Sequence, residues 1–276
     1  MTNMKIIIFI SLILSNLILF SQKKETEMIL EEGKTLYRLE KASWYGTDVL
    51  LERFENKKDS IGGYLSYQTN DNKVNCIFFS RYNSNEILVR FQFDSLPKSR
   101  PIYIDTINRK ATELEKNLIE IRQSAKNIVY ENADKFFSFY ENTSMNFIPI
   151  IQKNKKQVFI LTGPQKSGVV LLGNDYVMYY DKKNKFKSKN KLHNSIIQFN
   201  YKLEDQDKTI LSTMHSHVVT EYITSTDICT LLLYKEFTEW KTHYVIGKKY
   251  VSIFDLEKEI LATMTLEAWN RVYKTD

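Results

Sequence analysis

Four histidines occur in the 276-residue chain, and two of them, His215 and His217, flank Ser216 at the end of a short apolar run, Thr209 to Met214. In an extended strand successive side chains point to opposite faces, so both imidazoles project from one side while Ser216 turns away. Nine residues separate His217 from Asp227, which lies in Thr224-Ser225-Thr226-Asp227 just ahead of an apolar helical run. Imidazole nitrogen and carboxylate oxygen are zinc ligands at about 2.0–2.2 Å, and a catalytic zinc keeps one position open for water. His215, His217 and Asp227 therefore form a candidate metal set, with Zn2+ as the expected ion. The same tetrapeptide also fits a helix N-cap, with the Thr224 hydroxyl on a backbone amide and the acid at N3 near the positive helix end. The two roles are compatible, since a cap fixes a carboxylate in a well-defined orientation with or without a metal.

The elements that would position this set follow from periodicity. After a polar lead, Lys23 to Glu32, aromatic and branched residues crowd around Gly46 between Thr35 and Phe54 and suggest two strands. Ile61 to Tyr67, Val74 to Arg81 and Ile87 to Phe93 continue the series across Asn-, Asp- and Ser-rich turns, giving an antiparallel meander. Trp44-Tyr45-Gly46 and Gly62-Gly63-Tyr64 read as bulges and core packing with no chemistry of their own. Beyond Pro97 and Pro101, Leu114, Leu118, Ile121, Ala125 and Ile128 recur at helical spacing, and Phe136, Phe137, Phe139 and Tyr140 extend that face until Thr143 to Asn146 ends it. Apolar runs at 147–151, 158–162, 168–172, 176–180, 195–201 and 209–214 read as strands. Val158 to Leu161 and Val169 to Leu172 are continuous, the mark of strands covered on both faces. A helix at about 226–240 and strands at 244–246 and 250–254 follow. The expected class is α+β: a β-rich N-terminal domain, 23–106, and a layered α/β C-terminal domain, 107–276.

Hydrophobic residues make up 43% of the chain, enough to bury a substantial core. Residues 1–22 have the form of a signal peptide, with Lys5 ahead of the apolar stretch Ile6 to Phe20 and Ser21 at the cleavage point. That stretch is short against the roughly 20 residues that span a bilayer. The expectation is an exported protein, periplasmic or extracellular, with no stable membrane span after cleavage. Six lysines between Lys182 and Lys191 suit a solvated hairpin tip, and no aromatic or glycine pattern of a nucleic-acid module accompanies them. Cys76 and Cys229 sit in apolar runs and read as free core thiols, although an oxidising compartment would permit a bridge. Gly163-Pro-Gln-Lys-Ser-Gly168 lacks the Gly-Lys-Ser/Thr ending of a phosphate loop and reads as a hairpin turn. His193 and His243 could join a site, but an isolated histidine is usually structural or at the surface.

His215-Ser-His217, a loop, Thr224-x-x-Asp227, a helix and the strands around Tyr244-Val-Ile246 and Tyr250-Val-Ser-Ile-Phe254 resemble the JAMM/MPN (JAB-like) metalloprotease domain. The likeness implies a JAMM/cytidine-deaminase-like layered fold over about residues 110–260, with its recognisable residues in the last part of that span. It places zinc on His215, His217 and Asp227, and Thr224 where the family has a serine that helps hold the transition state. Val218 stands where the family usually has proline, and the loop to Asp227 is slightly shorter than is common there. The family's general base, an upstream glutamate, has no counterpart on the strands between Asn142 and Leu203; Glu141 and Glu221 are the nearest candidates. The chain also resembles secreted proteins of Bacteroidetes-type bacteria whose export signals end in a similar Ser-Gln. Two functions remain open: a zinc metallohydrolase cleaving a peptide or isopeptide bond in a protein of the envelope, or a non-catalytic envelope or secreted binding or structural protein on the same scaffold.

Overall fold

The computed structural model describes residues 2–152, 155–201 and 209–273, with side chains from residue 23 onward. The signal segment expected at 1–22 lies outside the residues whose side chains are described.

The chain opens on a long helix, α1 (Thr2–Arg53), where the sequence suggests two strands between residues 35 and 54. Leu36, Leu39, Ala42, Val49 and Leu50 are all buried, and their spacing is that of one helical face. Aromatic bulk at Trp44 and Tyr45 resembles a strand composition, but the burial of α1 on one side follows the helical period. Gly46 lies on that face because a Cβ there would stand 2.7 Å from Cys76 Sγ. At Gly33 a Cβ would fall 2.7 Å from the Ile228 side chain, so α1 packs tightly against the later helix that carries Ile228.

A short 3-10 turn, Glu55–Ser60, leads into the expected meander: β1 (Ile61–Gln68), β2 (Val74–Ser80) and β3 (Glu86–Phe93), all antiparallel, with β4 (Tyr103–Asp105) and β5 (Arg109–Lys110) both on β3. Helix α2 (Glu113–Glu131) begins with a capping box between Thr112 and Glu115. It stops at Asn132 and does not continue through the aromatic residues 136–140 as the periodicity suggests. Asn132 adopts the left-handed conformation at φ 42°, and its side-chain amide clamps both the N–H and the carbonyl of Phe137, which turns the chain away.

Next come β6 (Thr143–Gln152), β7 (Lys155–Pro164), β8 (Val169–Gly173), β9 (Tyr176–Tyr180), β10 (Phe186–Lys191), β11 (Ile196–Asn200) and β12 (Ser212–Ser216). Thr143 to Asn146 thus starts a strand. The second sheet runs β10-β9-β7-β6, and β11 pairs with β8. Helix α3 (Ser225–Tyr234) then precedes β13 (Thr242–Ile246), β14 (Tyr250–Asp255), β15 (Ile260–Thr265) and α4 (Leu266–Tyr273). The last sheet has the order β12-β13-β14-β15, and the β12–β13 pairing across α3 is parallel.

The fold is therefore mixed α and β with mainly antiparallel sheets, as expected. The second sheet is covered on both faces. Phe159 and Leu161 pack in a core with Leu36 and Leu39 of α1 and Phe78 and Phe91 of the first sheet. Val158 and Ile160 face Ile121 and Ala125 of α2. This accounts for their unbroken apolar run. Cys76 and Cys229 both lie in the α1-centred core as free, buried thiols.

Candidate metal centre

Strand β12 alternates as a half-buried strand should: Thr213 and His215 are buried, while Ser212, Met214 and Ser216 face outward. His217 continues the inward file, its backbone N–H donating to the Ile246 carbonyl at 2.9 Å. Parallel pairing sets Thr213 beside His243 and His215 beside Val245. The loop after His217 delivers Thr224 as N-cap of α3. Its hydroxyl donates to Asp227 Oδ2 at 2.7 Å, its N–H donates to the same oxygen at 2.9 Å, and Asp227 N–H donates back to Thr224 Oγ1. Asp227 is wholly buried and held from the helix side by this box.

A fourth group reaches the same point. His193 lies between β10 and β11, in a connection pinned by Leu192 N–H to the Asp175 carbonyl and Asn174 N–H to the Ser195 carbonyl, both at 2.9 Å. His193, His215, His217 and Asp227 each present one ligand atom, and these atoms all lie within 4.8 Å of one another. His193 Nε2 is 3.0 Å and His215 Nε2 3.8 Å from Asp227 Oδ1; His217 Nε2 is 3.3 Å from Oδ2, and the His215 and His217 Nε2 atoms are 2.7 Å apart. A tetrahedron with bonds of about 2.0–2.1 Å has edges of about 3.3 Å, so these separations bracket a four-ligand shell.

The outer nitrogens explain why the inner ones are free. His217 Nδ1 faces the Tyr222 carbonyl at 2.9 Å, which only accepts, so Nδ1 carries the proton and Nε2 a lone pair. His215 Nδ1 faces His243 Nε2 at 2.8 Å, and His243 Nδ1 faces Thr213 Oγ1 at 2.7 Å. A metal on His215 Nε2 requires donation in the order His215 to His243 to Thr213, an order that the hydroxyl at the end of the chain can accept. His193 Nδ1 faces the buried Asp175 carboxylate, 3.5 Å from Oδ2, while Asp175 Oδ1 is fixed by the Thr162 N–H at 2.9 Å. Asp227 Oδ1, fully buried, faces only imidazole nitrogens, His193 Nε2 at 3.0 Å and His215 Nε2 at 3.8 Å. Three imidazoles and a carboxylate aimed at one point form a site that could hold a metal ion. The acceptors behind the histidines are the outer shell that orients metal-ligating imidazoles.

The electrostatics agree. Burial pushes His215 down to about 4 and His243 down to about 3, so neither carries a proton at neutral pH. Burial also works against a charged His193, but Asp227 and Asp175 outweigh it and lift the group to about 9: the surroundings ask for positive charge there. Burial raises Asp175 to about 6. Burial opposes ionisation of Asp227 too, yet His193 and His217 hold its carboxyl well below the usual range.

Of the residues singled out from sequence, His215, His217 and Asp227 meet, and Thr224 stands against them with its Oγ1 3.5 Å from His193 Nε2. The two glutamates are elsewhere. Glu221 spends its carboxylate on the Lys249 N–H at 3.0 Å, Glu141 is exposed in the turn before β6, and neither lines the cavity of about 170 Å³ that borders the three histidines. His193 was legible only as an isolated histidine, and Asp175 carried no signal at all. One available hint was the count: all four histidines of the chain gather in this cluster. Comparison with known proteins finds no matching family model, and no curated protein or solved structure similar to the chain.

Proposed function

We propose that this chain is an exported zinc-binding protein on a JAMM-like scaffold, in which the zinc holds the fold together and does not hydrolyse a substrate. The observation that carries this reading is the convergence of four protein ligands, His193 with His215, His217 and Asp227, on one buried point. Three imidazoles and one carboxylate are a ligand set that suits zinc among the common divalent ions. A catalytic zinc keeps one position open, and here His193 stands at that position. A hydrolase further needs a base within reach of the attacking water, and among the described residues no glutamate lines the cavity beside the cluster. The strand β12, helix α3 and parallel strand β13 around the ligands support the JAMM-like reading of the scaffold. A metal there would tie the β10–β11 connection, the end of β12 and the start of α3 to one another. The biological activity would then lie in binding a peptide or protein partner in the envelope, and the apolar segment Ile6 to Phe20 behind Lys5 supports export.

One observation favours hydrolysis as a second reading. The cavity of about 170 Å³ beside His193, His215 and His217 gives solvent a route to the cluster. Elemental analysis of the purified protein, with a peptidase assay on the zinc-loaded form, separates the outcomes. Near-stoichiometric zinc, lost in His215→Ala/His217→Ala, with no peptide cleavage is the expected result. Cleavage that disappears with the zinc would transfer the site to the hydrolase reading. Failure to hold zinc even after reconstitution would sink both.

A further inference from the structure

A separate cavity of about 230 Å³ opens between α1, β1, β6, β7 and the end of α3, and none of the four histidines lines it. Its lining includes Glu40, a residue only 5% exposed. Glu40 sits on the apolar face of α1, flanked in the helix by buried Leu36 and Leu39, where an unpaired charge is costly. Around it stand the half-buried rings of Trp44, Tyr64 and Tyr234; Trp44 and Tyr234 meet edge to face with centroids 5.8 Å apart. The Asn146 side-chain amide donates to Glu40 Oε2. A glutamine would accept that bond equally well, so the hydrogen bond alone does not call for an acid at this position.

Arg122 does not line the cavity. Its Nε donates to the Phe147 carbonyl at 3.2 Å, and its guanidinium carbon is 5.7 Å from the centroid of the Tyr64 ring. The lining brings together one acceptor-only group, Glu40, and three aromatic side chains, beside the neutral polar side chains of Ser144, Asn146, Thr162 and Thr230. Carboxylate and aromatic faces together attract a cation that also has apolar surface, the pattern by which proteins recognise ammonium groups. The volume falls below the roughly 300–1,000 Å³ of drug-sized sites, which limits the ligand to a few carbons around one nitrogen.

We propose that this cavity binds a small organic ammonium ion, with its charge against Glu40 and its alkyl groups against Trp44, Tyr64 and Tyr234. Burial lifts the Glu40 carboxyl to about 7, so an arriving cation would supply the counter-charge that its ionised form lacks.

The test is titration of the full protein with tetramethylammonium chloride at constant ionic strength near pH 8. Calorimetry reports affinity, and saturation-transfer NMR on the probe methyls reports contact. The uncharged probe neopentanol has nearly the same shape and serves as control. Saturable binding of the cation, at least about tenfold weaker in Glu40→Gln and weaker again for neopentanol, is the expected result. Tyr234→Leu, at the rim of the cavity, must also weaken binding, and it decides the matter if Glu40→Gln folds poorly. Absence of saturable binding to the wild type overturns the proposal. So does equal affinity for neopentanol, or binding unchanged in both variants. Zinc binding is unaffected in every case, because the histidine cluster is elsewhere.

Discussion

Replacing Glu40 by glutamine should make the protein more stable at pH 8 and leave it nearly unchanged at pH 4. The side chain lies in α1, 5% exposed, with Asn146 of β6 donating to it. The titratable groups that act on it or feel it are Arg122 from α2, Tyr64 from β1, Cys76 from β2 and Cys229 from α3. Burial raises its carboxyl from 4.5 to about 7, against the smaller pull of Arg122 and the Asn146 amide. A group whose pKa is higher in the folded state contributes stability that is fully present below its unfolded pKa and is lost as pH rises through the folded one. The loss therefore runs between about pH 4.5 and 7. The difference of about 2.5 units corresponds to about 3 kcal/mol at pH 8, since each unit is worth about 1.4 kcal/mol. That is an upper bound, because the adjoining cavity of about 230 Å³ is wide enough to admit water to the charge. Glutamine keeps the shape and the acceptor for Asn146 and removes the titration. Urea unfolding of both proteins over a pH series, taken as the difference between them, cancels every shared ionisation. A difference that stays flat with pH, or a variant less stable at pH 8, would refute the reasoning.

Other expectations follow from single contacts. Gly33→Ala places a Cβ 2.7 Å from the Ile228 side chain, so α1 must shift from α3, and urea unfolding should show a loss of about 1–3 kcal/mol despite alanine's better helix propensity. A gain in stability would mean the crossing is looser than the contact implies. Asp175→Asn weakens the acceptor behind His193 and should reduce zinc affinity about 10–100-fold in competition with a chelating dye; unchanged affinity would remove Asp175 from the outer shell. A strong chelator should lower the Tm of the wild type, because the metal binds only the folded chain, and should leave that of His215→Ala/His217→Ala unchanged. Equal shifts in the two would mean that the chelator acts on something other than this cluster.

What could be read from the sequence was local. His215-Ser-His217 and Thr224-x-x-Asp227 announce themselves because a strand's two-residue period and a helix cap's three-residue reach fix where those side chains point. Meander strands β1 to β3 and the doubly covered strand β7 were legible for the same reason. His193 and Asp175 were not, since they enter the cluster on the connections either side of β9 and β10, and no spacing in the chain records that approach. Helix α1 carries a helical period in Leu36, Leu39, Ala42, Val49 and Leu50, but the aromatic bulk near Gly46 gives the same stretch the composition of strands. The end of α2 was obscured differently. Its stop signal is a single asparagine in the left-handed conformation, followed by aromatics that continue an apolar pattern in a non-helical turn.

The central claim is that four protein side chains, His193 among them, hold one metal ion. Cobalt substitution tests it most directly, since tetrahedral cobalt absorbs visible light far more strongly than cobalt in a water-rich, higher-coordinate shell. The account predicts an intense tetrahedral spectrum at one equivalent for the wild type. In His193→Ala the spectrum should weaken and shift as solvent takes the fourth position, with a loss of affinity. A His193→Ala protein with the wild-type spectrum and affinity would contradict the four-ligand centre, and a wild type that takes up no cobalt or zinc would contradict the metal site altogether.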